Sequence, residues 1–352
     1  MDPSVAVVGA TGAVGELMRR VLVERDFPTR AVKFLASAKS AGKTVEFRGR
    51  TYPVEPLRPE AFQGVDIVLS STPAAVSREF SPIAAAAGAI VVDNSSAWRM
   101  DPDVPLVVPE VNAYALADIP KGIVANPNCS TIQMVVALKP LHDAVGVERV
   151  VVSTYQSVSG AGRAAMDELF SQTRSVYVND PIKPEQLTKQ IAFNVIPHID
   201  VFMDDGSTKE EWKMAVETRK ILDPDIAVSA TCVRVPVFIG HAEAVNVEFT
   251  GPLTEDRARA ALRKAPGIIV VDHRADEGYV TPAEVAGEDA VYVSRIRRDP
   301  TVPHGLSLWI AADNLRKGAA LNAVQIAEIL VAEHLGGKRA AGRAKLELVR
   351  AK

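Results

Sequence analysis

The chain has 352 residues and carries 40 Lys plus Arg against 43 Asp plus Glu, a formal charge of −3, which excludes a dedicated electrostatic nucleic-acid binder because neutralising phosphates needs a strong basic excess. Hydrophobic residues make up 47% and charged residues 24%, the balance of a soluble globular protein with a large core to bury, and the length predicts two domains. The longest apolar run, 84–92, is far short of the roughly 20 residues of a membrane span, no export signal is legible, and the only cysteines, Cys129 and Cys232, are too few for a disulfide framework, so a cytoplasmic location is expected.

In chain order, Ser4 to Val8 is a short apolar strand, followed at once by Gly9-Ala-Thr-Gly12-Ala-Val-Gly15 and a helical stretch with Leu17, Met18, Val21 and Leu22 on one side. In a strand, glycine turn and helix of this kind, backbone amides can approach a pyrophosphate and the helix N-terminus adds positive potential. The spacing is G-x-x-G-x-x-G rather than G-x-G-x-x-G, so position between strand and helix carries the reading, and the bland alternative is a tight turn with nothing bound. Further strands are expected over 31–36, 65–70 and 90–93, with a helix over 77–87. Alternating strands and helices predict an α/β, Rossmann-type doubly wound N-terminal domain. After the second strand, where an NAD-specific protein usually places an acid, the segment 35–42 carries Lys39 and Ser40 and no acid, which favours the 2′-phosphate of NADP.

Cys129 lies in Asn126-Pro-Asn-Cys-Ser-Thr131, directly before a helical run through Val135, Val136, Leu138 and Leu141. A helix start favours the thiolate, and Asn128, Ser130 and Thr131 can cap it. Cys232 sits in the apolar strand 228–233 and reads as a packed side chain. From about Asn128 the texture changes to β-branched runs over 150–157, 229–237 and 244–250, predicting a second, α+β domain with a mixed sheet. The segment 171–184 reads as a polar insertion with loop signals. His241, after Arg234 to Gly240, is the most suggestive of six histidines for a base working near neutral pH. Residues 322–335 have helical periodicity and could return to the first domain. The last segment, with six basic residues and one glutamate, reads as a flexible tail over 337–352. The expected division is 1–128 for the nucleotide domain, completed by a helix at about 314–336, and 129–313 for a second, catalytic domain. No metal-ligand set is read.

Seven segments together resemble the aspartate-β-semialdehyde dehydrogenase family: Gly9 to Gly15, Asp93 to Arg99, Asn126 to Thr131, Gln156 to Gly160, Glu210 to Lys213, Arg234 to His241 and Asp313 to Gly318. They run in order through nearly the whole chain. The resemblance implies NADPH-dependent conversion of aspartyl 4-phosphate to aspartate 4-semialdehyde with release of phosphate, in the biosynthesis of lysine and diaminopimelate, methionine, threonine and isoleucine. It implies Cys129 as the nucleophile that forms a thioester, His241 as acid/base and Gln156 as the side chain that orients the acyl group. Arg234 is similar to the residue gripping the substrate α-carboxylate and Glu210 to the one meeting its α-amino group. Arg99, Asn128 and Lys213 look like the phosphate set, and Gly9, Thr11, Gly12, Ala13, Val14, Lys39, Ser40, Ser159, Gly160 and Asn314 like NADP contacts. A homodimer, or dimer of dimers, is implied. The residue chemistry agrees, since an amino acid bearing an acyl phosphate presents a carboxylate, an ammonium and a dianion. Two rivals stay open: an N-acetyl-glutamyl-phosphate reductase-like enzyme, which would have no use for an ammonium-binding Glu210, and a non-catalytic NADP-binding protein.

Overall fold

The computed structural model describes residues 2–335; the expected basic tail lies outside them. The described chain divides into two compact units, one running to Pro127 and resuming at Ala319, the other Asn128–Gly318.

The first unit opens with β1 (Ser4–Val8), buried at every residue, as a central parallel strand covered on both faces must be. Helix α1 (Ala13–Glu24) follows the glycine turn and buries Gly15, Met18, Val21 and Leu22. β2 (Ala31–Ala36) is followed by β3 (Thr44–Phe47) and β4 (Arg50–Pro56), a hairpin whose two-residue loop, Arg48-Gly49, has positive φ at both positions, the backbone a tight hairpin demands. β5 (Ile67–Ser70), α2 (Ala74–Ala86), β6 (Ile90–Asp93), α3 (Pro109–Asn112) and β7 (Ile123–Ala125) complete this part. The strands lie in the order β3-β4-β2-β1-β5-β6-β7, all parallel except β3 against β4. The chain moves outward from β1 to β2 and returns on the other side at β5, so the strand order reverses between β1 and β5. Open α/β sheets bind ligands beyond the carboxyl ends at such a switch, and the Gly9 turn sits there.

The second unit begins with α4 (Cys129–Val145) and β8 (Val147–Gln156). α5 (Arg163–Val178), α6 (Lys209–Ile221), β9 (Ala227–Arg234), β10 (His241–Phe249), α7 (Glu255–Lys264), β11 (Ile268–Val270), β12 (Val291–Asp299) and β13 (Gly305–Ala312) follow. Its sheet has the order β11-β12-β13-β10-β8-β9, parallel at β8–β9 and β11–β12 and antiparallel elsewhere. The mixed sheet read from the sequence is therefore present. The polar insertion expected over 171–184 is corrected in its first half: α5 continues to Val178 and ends at Asn179, whose φ of 56° is left-handed. It buries the polar Glu168 and Gln172 beside Leu169 while Phe170, Val176, Tyr177 and Val178 are exposed, an inversion of the usual amphipathic pattern that hides the helical period.

The chain re-enters the first unit through a π-turn at Arg316–Ala320 and α8 (Leu321–Glu333). The helix expected at about 314–336 is thus shorter, and 314–318 belong with the second unit. α8 is buried nearly all round, its Leu321, Val324, Ala327 and Val331 sharing a core with Met18, Val21, Leu22 and Val92. Arg25 clamps Glu328 with two hydrogen bonds of 2.7 and 2.8 Å, and Asn322 donates to the carbonyl of Val107 and the side chain of Asn126. None of the described helices is long and apolar enough to cross a membrane.

The glycine turn separates two kinds of requirement. A Cβ on Gly9 would lie 2.2 Å from the Ser71 carbonyl oxygen at a φ of +80°, and one on Gly15 would lie 2.2 Å from the Gly9 carbonyl oxygen, whereas one on Gly12 meets that oxygen at an ordinary 3.4 Å. Gly15→Ala should therefore cost about 1–3 kcal/mol of stability, and Gly12→Ala less than about 1 kcal/mol. Urea unfolding of both variants checks this; equal losses would contradict the packing account.

Candidate active site

The strand pairing of the second unit delivers several of the named residues to one edge of its sheet. Gln156 ends β8 and pairs directly with Arg234, which ends β9. His241 starts β10 opposite Ala312, the last residue of β13, so Asp313 and Asn314 emerge beside it. Asp313 shapes that exit by accepting from the amides of Leu315, Arg316 and Gly287.

Cys129 is the first residue of α4, and Asn128 caps the helix by accepting from the amides of Ser130 and Thr131 at 3.0 and 3.3 Å. Its amide nitrogen donates to Glu210 at 2.8 Å and its backbone N–H to Glu217 at 2.7 Å. The cap is thus itself held by two carboxylates of α6, seven residues apart and on one helical face. A Cβ on Gly318 would come within 2.7 Å of the Cys129 Cβ, so glycine there leaves the space the cysteine occupies. Both cysteines are free thiols, but Cys232 is buried and its thiol is pushed far up by desolvation.

Glu210 is almost wholly buried. Burial alone raises a carboxyl's pKa, but Lys213, Asn128 and Gln156 more than offset it and hold Glu210 below the usual range. Its Oε1 accepts from Asn128 and, at 3.2 Å, from Gln156; its Oε2 accepts from Lys213 at 3.0 Å. Lys213 also donates to Asp200 at 2.7 Å. Burial disfavours its ammonium, yet the two carboxylates keep the pKa above the ordinary value.

Arg234 is buried and donates from Nη1 to the Ser157 carbonyl at 2.8 Å. Burial lowers its pKa while the charges of Glu210 and Cys129 work to raise it. Its guanidinium also acts on His241, which makes it the common neighbour of the thiol and the imidazole. His241 is fully buried, and its pKa is lowered to about 3, first by desolvation and then by Arg234. The backbone N–H of Ser157 donates to His241 Nδ1 at 3.1 Å, so at neutral pH the ring proton sits on Nε2. A Cβ on Gly160 would lie 3.0 Å from Arg234 Nη1 and 3.4 Å from His241 Nε2, so glycine keeps open the space in front of both. Asn314 joins this group: its Oδ1 accepts from Ser157, Ser159 and the amide of Gly240.

The second unit therefore brings together Cys129, Asn128, Gln156, Ser159, Gly160, Glu210, Lys213, Arg234, His241 and Asn314. The remaining candidates lie in the first unit. Arg99 is buried and held by the carbonyls of Asn126 and Asn94, on a loop shaped by the buried Asp93, which accepts from Ser77 and Ser95. Thr11 donates to Ser40 at 3.3 Å, joining the glycine turn to the loop after β2, where Lys39 is exposed. α1 starts at Ala13 with no side-chain cap, so the first-turn amides of Ala13 and Val14 suit an anion. With Gly9 and Gly15 fixed by close backbone approach, this turn fits a dinucleotide phosphate. Sequence reasoning missed Glu217, Ser157 as the support of His241, and Gly318. The i, i+3, i+7 spacing of Glu210, Lys213 and Glu217 was the available signal for the first. Among the described residues no cluster of His, Cys, Asp and Glu could hold a metal ion.

Because His241 is buried neutral, its contribution to stability is complete above its unfolded value of 6.5 and is lost as pH falls toward about 3. Between those limits the protein should lose about 1.4 kcal/mol per pH unit from this group. Urea unfolding at pH 7 and pH 5 should show a shallower pH dependence in His241→Asn than in the parent; identical dependences would contradict the neutral imidazole.

The family model described as “Semialdehyde dehydrogenase, NAD binding domain” matches residues 4–119, and that described as “Semialdehyde dehydrogenase, dimerisation domain” matches 138–317. The aspartate-semialdehyde dehydrogenase of Aquifex aeolicus is 54% identical over 339 residues, covering 95% of this chain and 100% of its own. The crystal structure of aspartate semialdehyde dehydrogenase II from Vibrio cholerae complexed with ASA has a TM-score of 0.93 at 51% identity, covering 95% of this chain and 99% of that one. That of the Candida albicans enzyme with NADP has a TM-score of 0.73 at 26% identity, covering 95% and 100%. Matches of this extent, over both units, mean that the chain belongs to the aspartate-semialdehyde dehydrogenase family.

Proposed function

We propose that this chain is an NADP-dependent aspartate-semialdehyde dehydrogenase that reduces L-aspartyl 4-phosphate to L-aspartate 4-semialdehyde through a thioester on Cys129. The observation that carries the reading is the convergence of Cys129, Gln156, Glu210, Arg234 and His241 in one unit, with Arg234 acting electrostatically on both the thiol and the imidazole.

The thiolate at the start of α4, favoured by the helix N-terminus and by Arg234, attacks the acyl carbonyl; the C–S bond forms as the C–O bond to phosphate breaks. Arg234 grips the α-carboxylate as a planar fork, and Glu210 meets the α-ammonium. Lys213, Arg99 and Asn128 serve the phosphate; the Asn128 amide has two hydrogens, of which one goes to Glu210. Gln156 orients the acyl oxygen. When bound, NADPH supplies a hydride to the acyl carbon; Gly9, Thr11, Gly12, Ala13, Val14, Lys39 and Ser40 in the first unit, and Ser159, Gly160 and Asn314 in the second, are the residues that would hold it. The tetrahedral oxyanion is then met by the Nε2–H of neutral His241, a donor whose tautomer the Ser157 amide fixes. Collapse expels the Cys129 thiolate and releases the aldehyde. In this tautomer neutral His241 acts as a hydrogen-bond donor to the oxyanion rather than as the base that ionises the thiol, and the collapse itself needs no proton from it.

The N-acetyl-glutamyl alternative is disfavoured by the buried Glu210, whose carboxylate, held below the usual pKa range, suits a charged α-ammonium and has no such charge to meet in an acetylated amine. We place the enzyme in the cytoplasm as a homodimer or a dimer of dimers; exposed Phe170, Tyr177, Phe193 and Phe202 on the second unit, 62–78% accessible, suit an interface.

NADPH formation from aspartate semialdehyde and phosphate tests the reaction. Cys129→Ala should lose at least about a thousandfold in kcat while keeping NADP affinity; retained turnover would end the thioester reading. His241→Asn should lose about a hundredfold to ten-thousandfold in kcat. Lys39→Glu should lower kcat/KM for NADP by about tenfold or more relative to NAD; an unchanged ratio would remove Lys39 from the cofactor set.

A further inference from the structure

Beneath the reacting groups lies a second polar row that the mechanism above does not use. On β10, β8 and β9 the register pairs Glu243 with Thr154 and Thr154 with Cys232, two residues from His241, Gln156 and Arg234 respectively. Side chains two apart on a strand share a face, so Cys232, Thr154 and Glu243 sit one step deeper under Arg234, Gln156 and His241. The opposing layer is α4, which packs against β8, β10, β12 and β13. Gln133, one turn after Cys129, shares that residue's side of the helix.

Glu243 is completely buried, and among the described residues neither of its oxygens makes a hydrogen bond of ordinary geometry; the same holds for both ends of the buried Gln133 amide. The two face each other, since Gln133 is the side chain that acts on the Glu243 carboxyl, and desolvation holds that carboxyl well above its usual range. A neutral acid carries one donor and one acceptor, and a carboxamide carries both, so the pair is self-complementary. Leucine or methionine would fill this place without leaving polar groups to desolvate. What the acid–amide pair adds is direction.

We propose that Glu243, paired with Gln133, is a positioning residue that fixes the register of α4 on β10 and so holds Cys129 against His241, the acid serving through hydrogen bonding rather than through charge. The proposal rests on reading those two as the reacting pair. Because the acid acts uncharged, an amide can replace it and an apolar side chain cannot.

Steady-state kinetics of the full-length enzyme in the phosphate-dependent assay, with NADP affinity measured alongside, test this. Glu243→Gln should keep kcat within about threefold of the parent, while Glu243→Leu should lose at least about tenfold in kcat with KM values within about threefold. Gln133→Leu should show the same kcat loss, and the double variant no more than either single one, because both remove one pair; this arm stands if Glu243→Leu fails to fold. Parent-like kcat in either leucine variant would overturn the proposal, as would Glu243→Gln falling as far as Glu243→Leu, which would mean that the charge is needed. An active Cys129→Ala enzyme would instead remove the underlying reading.

Discussion

One buried carboxylate organises the catalytic unit. Glu210 accepts from Asn128, Gln156 and Lys213, and these lead respectively to the cap of the cysteine helix, the amide at the end of β8 and a charged lysine. A charge taken out of water persists only where donors and an opposite charge replace its hydration. Here three donors do so, and each is itself a site residue. Removing the carboxylate would therefore disturb the Cys129 helix, the end of β8 and the lysine at once, so its effects cannot be assigned to substrate contact alone.

The same logic separates the two cysteines. Cys129 stands at a helix N-terminus beside the Arg234 charge, whereas Cys232 lies in a strand interior where burial pushes the thiol far up. Chemically identical side chains are divided first by desolvation, which Cys232 meets in the strand interior while Cys129 stands at a capped helix end. His241 is tuned in the opposite direction: burial and Arg234 keep it neutral, and the Ser157 amide fixes the proton on Nε2. Arg234 thus favours an anion at one neighbour and forbids a cation at the other.

Much of this was legible in the sequence because it depends on local pattern. The β1 turn, the capped cysteine and the β-branched runs announce themselves through neighbours. The β3–β4 hairpin was not read, since its alternation is short and its turn, Arg48-Gly49, is not one of the common dipeptides. The end of α5 does not announce itself because its apolar Val176, Tyr177 and Val178 are exposed while the polar Gln172 is buried. Within the site, Glu210 and Lys213 were found through the family motif. Glu217 was not, because its partner is the backbone N–H of Asn128, 89 positions away, and no local pattern records such a bond. Glu243 was missed for the same reason: inside an alternating strand, an acid signals solvent unless the opposing layer is known.

In the proposed mechanism the acyl group passes through the thiol of Cys129. Trapping and peptide mapping test it most directly: incubate the enzyme with aspartate semialdehyde and NADP without phosphate, quench in acid, digest, and locate the added mass. That mechanism requires an aspartyl adduct on the peptide containing Cys129 and none on that containing Cys232. No adduct at Cys129 under conditions where NADPH forms, or an adduct at Cys232 instead, would contradict it.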